Sequence, residues 1–68
     1  MARATVKWFN DKKGFGFLVD PEIDGDIFVH YSVIQINGFK TLTTGDEVEY
    51  DIFSDDKGHK ARNVVRIE

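Results

Sequence analysis

Two stretches in the first half of the chain decide the fold: residues 13–19 read Lys-Gly-Phe-Gly-Phe-Leu-Val, and residues 26–31 read Asp-Ile-Phe-Val-His-Tyr. Aromatic and β-branched side chains dominate both stretches, which is typical of β-strands. The turn-forming residues Asn, Asp, Gly and Pro flank them. We therefore predict two neighbouring strands, and the orientation of their side chains becomes the main question.

The alternation in the second stretch indicates which of its side chains face outward. Ile27 and Val29 share one face of a strand, and Phe28 and His30 share the other, because successive side chains point to opposite faces. Turning Phe28 and His30 inward would bury a histidine and expose the aliphatic side chains. We predict that Phe28 and His30 point outward.

For the first stretch, alternation alone leaves the orientation close to even. The face opposite Phe15 and Phe17 offers only Gly16 and Leu18, although an inward glycine suits the sharp bend of a small barrel. If the two stretches pair, all their outward rings form one continuous platform, which favours outward phenylalanines. Each exposed phenylalanine forgoes about 1.5–3 kcal/mol of burial, so such a platform predicts a binding role.

The remaining sequence adds short strands and turns, and no apolar period of 3.6 residues persists for ten residues. One helical turn is predicted within residues 32–35, where Ser and Gln have the spacing of a capping box. The predicted strands cover residues 4–10, 15–19, 26–31, 47–53 and 60–67. Five short strands without a helix favour an all-β fold with an antiparallel sheet, and closure into a barrel removes exposed edges.

Length and composition limit the class of protein. The 68 residues suffice for a single domain, expected to span 1–68, whose core is thin because a chain this short buries only about 60% of its unfolded surface. The absence of cysteine excludes disulfides and thiolate metal sites and fits a reducing compartment. With no signal peptide or apolar span in sight, we expect a soluble cytoplasmic protein, complete from its first methionine, with no membrane partner.

The charge distribution argues against binding by phosphate attraction alone. The formal net charge is −3, but residues 1–19 and 57–68 each carry +3, whereas residues 20–31 carry −4. The two basic ends would form one patch if they meet in space. Lysines beside aromatic planes are what a single-stranded nucleic acid requires, because each base has a π-face and each linkage a phosphate. Stacking would therefore carry the binding, with lysines assisting.

Two other function classes fit less well. For an enzyme, the chain lacks a Ser–His pair with a placed acid and a phosphate-binding glycine loop, and neither His30 nor His59 has metal-ligand spacing with Asp24 or Asp26. We therefore predict no catalytic residue, metal or cofactor. An exposed aromatic patch can also be a protein interface. Interleaved lysines favour nucleic acid, because lysine is depleted in the cores of protein interfaces.

Residues 13–19 also match the first RNP signature of RNA-recognition motifs, but the two amphipathic helices of that fold are missing. Over essentially its whole length the chain instead resembles bacterial cold-shock proteins. The motifs that carry the resemblance are Lys7-Trp8-Phe9-Asn10, Lys13-Gly14-Phe15-Gly16-Phe17, Asp26-Ile27-Phe28-Val29-His30-Tyr31 and Gly38-Phe39-Lys40-Thr41-Leu42.

This resemblance implies a five-stranded OB-type barrel that binds single-stranded RNA and DNA, with low sequence specificity and a preference for pyrimidine-rich stretches. It further implies an RNA chaperone that melts secondary structure and affects transcription antitermination and translation. A monomer is expected, with a domain-swapped dimer as the alternative.

The resemblance also implies roles for individual residues. The base-stacking side chains would be Trp8, Phe15, Phe17, Phe28, His30, Tyr31 and Phe39. The polar contacts would come from Lys7, Asn10, Lys13, Asp26 and Lys57. The core would comprise Val6, Leu18, Ile27, Val29, Ile34, Val48, Tyr50, Ile52 and Val64. The chain departs from the family pattern at Tyr31, where phenylalanine is common, at His59, where proline is frequent, and in the acidic loop 20–25.

Overall fold

In the computed structural model, which describes residues 2–35 and 42–67, five strands form a closed barrel in the order β1-β2-β3-β5-β4. The strands are β1 (Ala2–Asn10), β2 (Phe15–Val19), β3 (Ile27–His30), β4 (Glu47–Asp55) and β5 (Gly58–Arg66). A 3₁₀ turn, Tyr31–Val33, follows β3 and overlaps the one helical turn predicted within residues 32–35. No helix in the described part of the chain is long and apolar enough to cross a membrane.

The prediction of an antiparallel sheet is correct for every strand pair except one. β1 pairs antiparallel with β2 and β4, β2 with β3, and β4 with β5, whereas β3 and β5 run parallel where Phe28 lies beside Lys60. A ring of five strands cannot reverse direction at every step, so closure requires at least one parallel pair. The sheet is therefore mixed.

Among the described residues, eleven apolar side chains are buried in the interior. They are Ala4, Val6, Leu18, Ile27, Val29, Ile34, Leu42, Val48, Tyr50, Ala61 and Val64. The prediction of Ile52 as a core residue is wrong, because that side chain is 39% exposed. Ile52 shares a face of β4 with Tyr50 but lies closer to the β4–β5 turn, and side-chain alternation does not predict where along a strand the core ends.

Gly16 explains how β2 can present its phenylalanines outward. A Cβ atom at this position would lie 2.3 Å from the Trp8 carbonyl oxygen and 2.7 Å from the Phe9 Cα. Those are backbone atoms of β1, so no side-chain rotation could relieve the clash. The inward glycine predicted for a bent strand is therefore present, and it allows β1 and β2 to approach closely.

A buried polar pair fixes the start of the loop between β2 and β3. The Tyr50 hydroxyl donates to Asp20 Oδ2 over 2.7 Å, and the Glu22 amide donates to Asp20 Oδ1 over 2.9 Å. Burial, followed by the hydrogen bond to Asp20, holds the pKa of the Tyr50 hydroxyl well above its ordinary value. Both oxygens of this buried carboxylate are hydrogen-bonded. Asp20 is therefore held in place at the start of the loop that leads from β2 to Asp26 and β3.

Candidate functional site

The side chains of β2 and β3 form one outward surface. Phe15 lies opposite His30 and Phe17 lies opposite Phe28, while the intervening Val29 is completely buried. Both orientation predictions are thereby confirmed. Strand pairing turns two separate alternations into a contiguous patch, as expected for directly opposed residues.

The rings on this surface pack against one another. The Phe15 and Phe28 rings are stacked with centroids 5.8 Å apart and an interplanar angle of 24°. Phe17 meets Phe28 edge-on at 5.8 Å, and Trp8 of β1 meets Phe17 edge-on at 5.2 Å. We call Trp8, Phe15, Phe17, Phe28 and His30 the aromatic face. Each phenylalanine on it is only half-buried, so ring area is available to a ligand.

Tyr31 extends the aromatic face at its edge and is 48% exposed. Its ring centroid lies 4.5 Å from that of His30, and its amide donates to the Gly14 carbonyl over 2.8 Å. A Cβ atom on Gly14 would approach the Tyr31 ring to 2.6 Å, and Gly14 has a φ of 77°. Glycine at position 14 therefore leaves room for the ring of Tyr31, the residue at which the chain departs from the family pattern.

His30 presents a defined hydrogen-bonding edge. Its Nδ1 accepts the Ser32 amide proton over 3.2 Å and lies 2.8 Å from Ser32 Oγ. Because a backbone amide can only donate, Nδ1 is the acceptor in this contact. The tautomer that accepts at Nδ1 carries its proton on Nε2, which can donate to a ligand.

Lys7 and Asp26, predicted as two separate polar contacts, are partners in the structure. Lys7 Nζ lies 3.0 Å from Asp26 Oδ2, and both side chains are exposed. An exposed ion pair of this kind contributes about 0–1 kcal/mol, so a ligand can open it at little cost. The pair also lowers the local charge that Asp26 would otherwise present to a phosphate.

Asn10 is engaged in the turn that follows β1. Its Oδ1 accepts the amide protons of Lys12 and Lys13, each over 3.0 Å. This arrangement is an Asx turn, which holds both lysines next to β2. Lys12 and Lys13 are exposed, and Asn10 lies directly opposite Phe15.

An open hollow of about 470 Å³ continues the aromatic face towards the β4–β5 turn. It is lined by Phe17, Asp26, Phe28, Lys57, Gly58, His59 and Lys60. Sequence reasoning found Lys57 but missed His59 and Lys60 as lining residues. The parallel pairing of Phe28 with Lys60 brings β5 here, and no local pattern in the sequence indicates that pairing.

The two basic ends of the chain meet at the hollow, which the charge distribution alone had left open. Lys7 reaches Asp26 from the N-terminal strand, and Lys57 and Lys60 come from the C-terminal one. Lys60 Nζ lies 2.9 Å from Asp55, and this contact lowers the pKa of the Asp55 carboxyl, with the Lys57 amide contributing. Two of these three cations, Lys7 and Lys60, are thus already paired. Apolar ring surface therefore accounts for much of what the site offers a ligand.

Phe39, predicted as a base-stacking side chain, lies outside the described residues. Across 2–35 and 42–67, no group of three or more His, Cys, Asp or Glu side chains is arranged to hold a metal ion.

Comparison with known proteins gives consistent matches. A family model described as the 'Cold-shock' DNA-binding domain matches residues 2–67. A cold shock-like protein CspD of Vibrio cholerae is 53% identical over 68 residues, covering 100% of this chain and 90% of that protein. Cold shock-like protein CspE of Escherichia coli is 49% identical over 65 residues, covering 96% of this chain and 94% of the relative.

Among solved structures, one described as Drosophila Unr CSD456 superposes with a TM-score of 0.81. The match covers 98% of this chain and 26% of that one, at 21% identity. At that identity the likeness concerns the fold alone. It supports the assignment of the barrel as OB-type.

Proposed function

This chain belongs to the cold-shock domain family, and on that premise we propose that it binds single-stranded RNA and DNA by stacking unpaired bases on the aromatic face. The observation that carries the proposal is the contiguous set of half-exposed rings across β1, β2 and β3. A small domain leaves so much ring area accessible only at a cost in stability, and base stacking makes use of it.

Stacking supplies enough free energy for such a site to work in an acidic protein. Each stacked base contributes about 1–3 kcal/mol, so four to six rings offset the cost of ordering the strand. Duplex nucleic acid has its π-faces already stacked and gains little from the same surface. The proposed ligand is therefore an unpaired strand.

The proposed roles of individual residues follow their positions. Bases would stack on the aromatic face and on Tyr31, while Nε2 of His30 would donate to a base edge. Asp26 would accept from a base once Lys7 turns to a phosphate, and Lys13 and Lys57 would neutralise further phosphates. Asn10 and Phe39 complete the proposed set of contacts.

The same preference for unpaired strands supports a role as an RNA chaperone. A protein that binds the open form of a hairpin and not the closed form shifts the equilibrium towards the open form by mass action. We propose that this melting acts in the cytoplasm on transcription antitermination and translation. We also propose that residues 1–68 act as one domain and bind as a monomer, with a preference for pyrimidine-rich stretches.

A fluorescence titration tests the proposal directly, because Trp8 is the only tryptophan and lies on the aromatic face. Oligo-dT at micromolar concentration should quench Trp8 emission, whereas the matching duplex should leave it nearly unchanged. Repeating the titration with dC and dA measures the base preference. Absence of quenching by any single strand would refute the proposed function.

A further inference from the structure

One row of side chains runs around all five strands on the outside of the barrel. Trp8 pairs with Phe17, Phe17 with Phe28, Phe28 with Lys60, and Lys60 with Phe53. Directly opposed residues of neighbouring strands point to the same face of a sheet. The row therefore leaves the aromatic face at Phe28 and ends at a further aromatic ring on β4.

The far end of this row combines a ring with a cation. The Arg62 guanidinium carbon lies 4.1 Å from the centroid of the Phe53 ring, within the range of a cation–π contact. Phe53 is half-buried and Arg62 is exposed, so the guanidinium is accessible from solvent. Guanidinium planes and aromatic rings both accept stacked bases.

The backbone around Arg62 keeps its side chain available. The register between β4 and β5 shifts between Glu49 and Asp51, and Asn63 adopts a φ of 51°. Asn63 Nδ2 donates to Asp51 Oδ2 over 2.9 Å, which occupies an oxygen of the carboxylate opposite Arg62. Within the described residues, 2–35 and 42–67, Arg62 makes no salt bridge.

We propose that Phe53 and Arg62 form a second contact site for single-stranded nucleic acid, which extends the binding surface from the aromatic face across β5 to β4. This inference rests on the proposed function. Arg62, oriented by Phe53, stacks on a base or pairs with a phosphate, and Lys60 spans the interval between Phe28 and Phe53. Two strand spacings, about 10 Å, separate the two ends of that interval.

The second site makes the affinity depend on strand length. A short single-stranded nucleic acid contacts only the aromatic face, whereas a longer one also reaches Arg62. Strands of about six and about ten nucleotides suit the comparison, because barrels of this type occupy roughly 4–16 nucleotides. Binding is measured as the anisotropy of a dye-labelled oligo-dT, so that the readout does not depend on tryptophan.

The expected result is a loss confined to the longer strand. Phe53→Ala and Arg62→Ala should each weaken binding of the longer strand about five- to tenfold and that of the shorter strand less than about twofold. Ile52→Ala is the matched control, because Ile52 is an exposed aliphatic neighbour outside the row, and it should change neither affinity. Equal losses on both lengths, or no loss on either, would overturn the second site.

A spectroscopic probe separates contact from a purely structural role. In a Trp8→Phe, Phe53→Trp variant, the only indole lies at the second site, and the longer strand should quench it more strongly than the shorter one. An indole at position 53 that does not respond while the longer strand is bound would overturn the inference. If the wild-type protein binds neither strand, the proposed function itself fails; if it binds both and the variants do not discriminate, only the second site fails.

Discussion

The outward surfaces of β3 and β4 obey the same alternation but carry opposite chemistry. On β4, the outward residues Glu47, Glu49 and Asp51 alternate with the buried Val48 and Tyr50. Charged side chains on the solvated face of an antiparallel sheet are the ordinary solution, and they forgo no apolar burial.

On β3 the outward positions carry Phe28 and His30 in place of charges, while Ile27 and Val29 are buried as usual. The inward half of the pattern is thus the same in both strands, and only the outward half differs. The departure from a polar exterior marks the surface that we propose to bind nucleic acid. The charged outward residues of β4 up to Asp51 form an ordinary hydrated surface.

Adjacent residues of β3 allow the strongest test of this contrast. Val29→Ala removes fully buried methyl groups and should cost about 2 kcal/mol of unfolding free energy, with little change in the affinity of the folded protein. Phe28→Ala should instead weaken strand binding by about 1–3 kcal/mol, because it removes a stacking surface. Urea unfolding and oligo-dT titration of both variants measure the two effects.

The contrast between outward and inward residues is wrong if the two variants show the same changes in stability and affinity. A Phe28→Ala protein that is less stable than Val29→Ala would likewise mean that the Phe28 ring serves mainly as core. Phe15→Ala extends the test to β2 and should behave like Phe28→Ala.

Tyr50 tests the inward side of β4, where its hydroxyl bonds the buried Asp20. Tyr50→Phe leaves Asp20 Oδ2 buried without its donor and should cost about 1–3 kcal/mol of stability. The pH dependence has a defined sign. Since the folded-state pKa of Tyr50 is raised, the stabilisation is complete below the ordinary tyrosine pKa near 10 and is lost as pH rises above it.

The wild-type protein should therefore lose stability steeply in alkaline solution, by up to about 1.4 kcal/mol per pH unit from this one group. Tyr50→Phe should lack that contribution. Urea unfolding of both proteins between neutral and strongly alkaline pH measures the difference, and parallel pH profiles would contradict the assignment.

The smallest effects are expected from charges on the hydrated surface. Replacing Glu47 and Glu49 by glutamine should change the affinity for single-stranded nucleic acid by less than about 0.5 kcal/mol, because salt screens charges distant from the ligand. Lys57→Gln, which alters the hollow beside the aromatic face, should have the larger effect.

The salt dependence sharpens the same point. Each neutralised phosphate on a single strand contributes about −0.7 to the log–log slope of affinity against salt. A binding mode led by stacking should give a shallow slope. A slope steeper than about −5 would show that phosphate contacts dominate.

Much of the fold and of the site was predictable because it depends on local alternation. The strand positions, the buried Ile27 and Val29, and the outward Phe28 and His30 follow from a period of two and from the cost of burying an imidazole. Pro21 lies just beyond the end of β2, in agreement with its inability to donate a backbone hydrogen bond.

Irregularities in the strands were not predictable in this way. Val6 is buried and Trp8 is exposed although they are two residues apart, because the register shifts between them. A β-bulge adds one residue to a strand and thereby reverses the faces beyond it. Without that shift, simple alternation would place Trp8 on the side of Val6, away from the aromatic face.

The sequence by itself determined an all-β chain whose second and third strands carry aromatic rings on one face, because side-chain alternation is a local property of the backbone. Only the tertiary structure decided that β3 and β5 run parallel, that the basic ends meet at the hollow, and that one row joins Phe28 through Lys60 to Phe53. These features depend on closure of the barrel and on register between strands distant in sequence, and no local pattern encodes them.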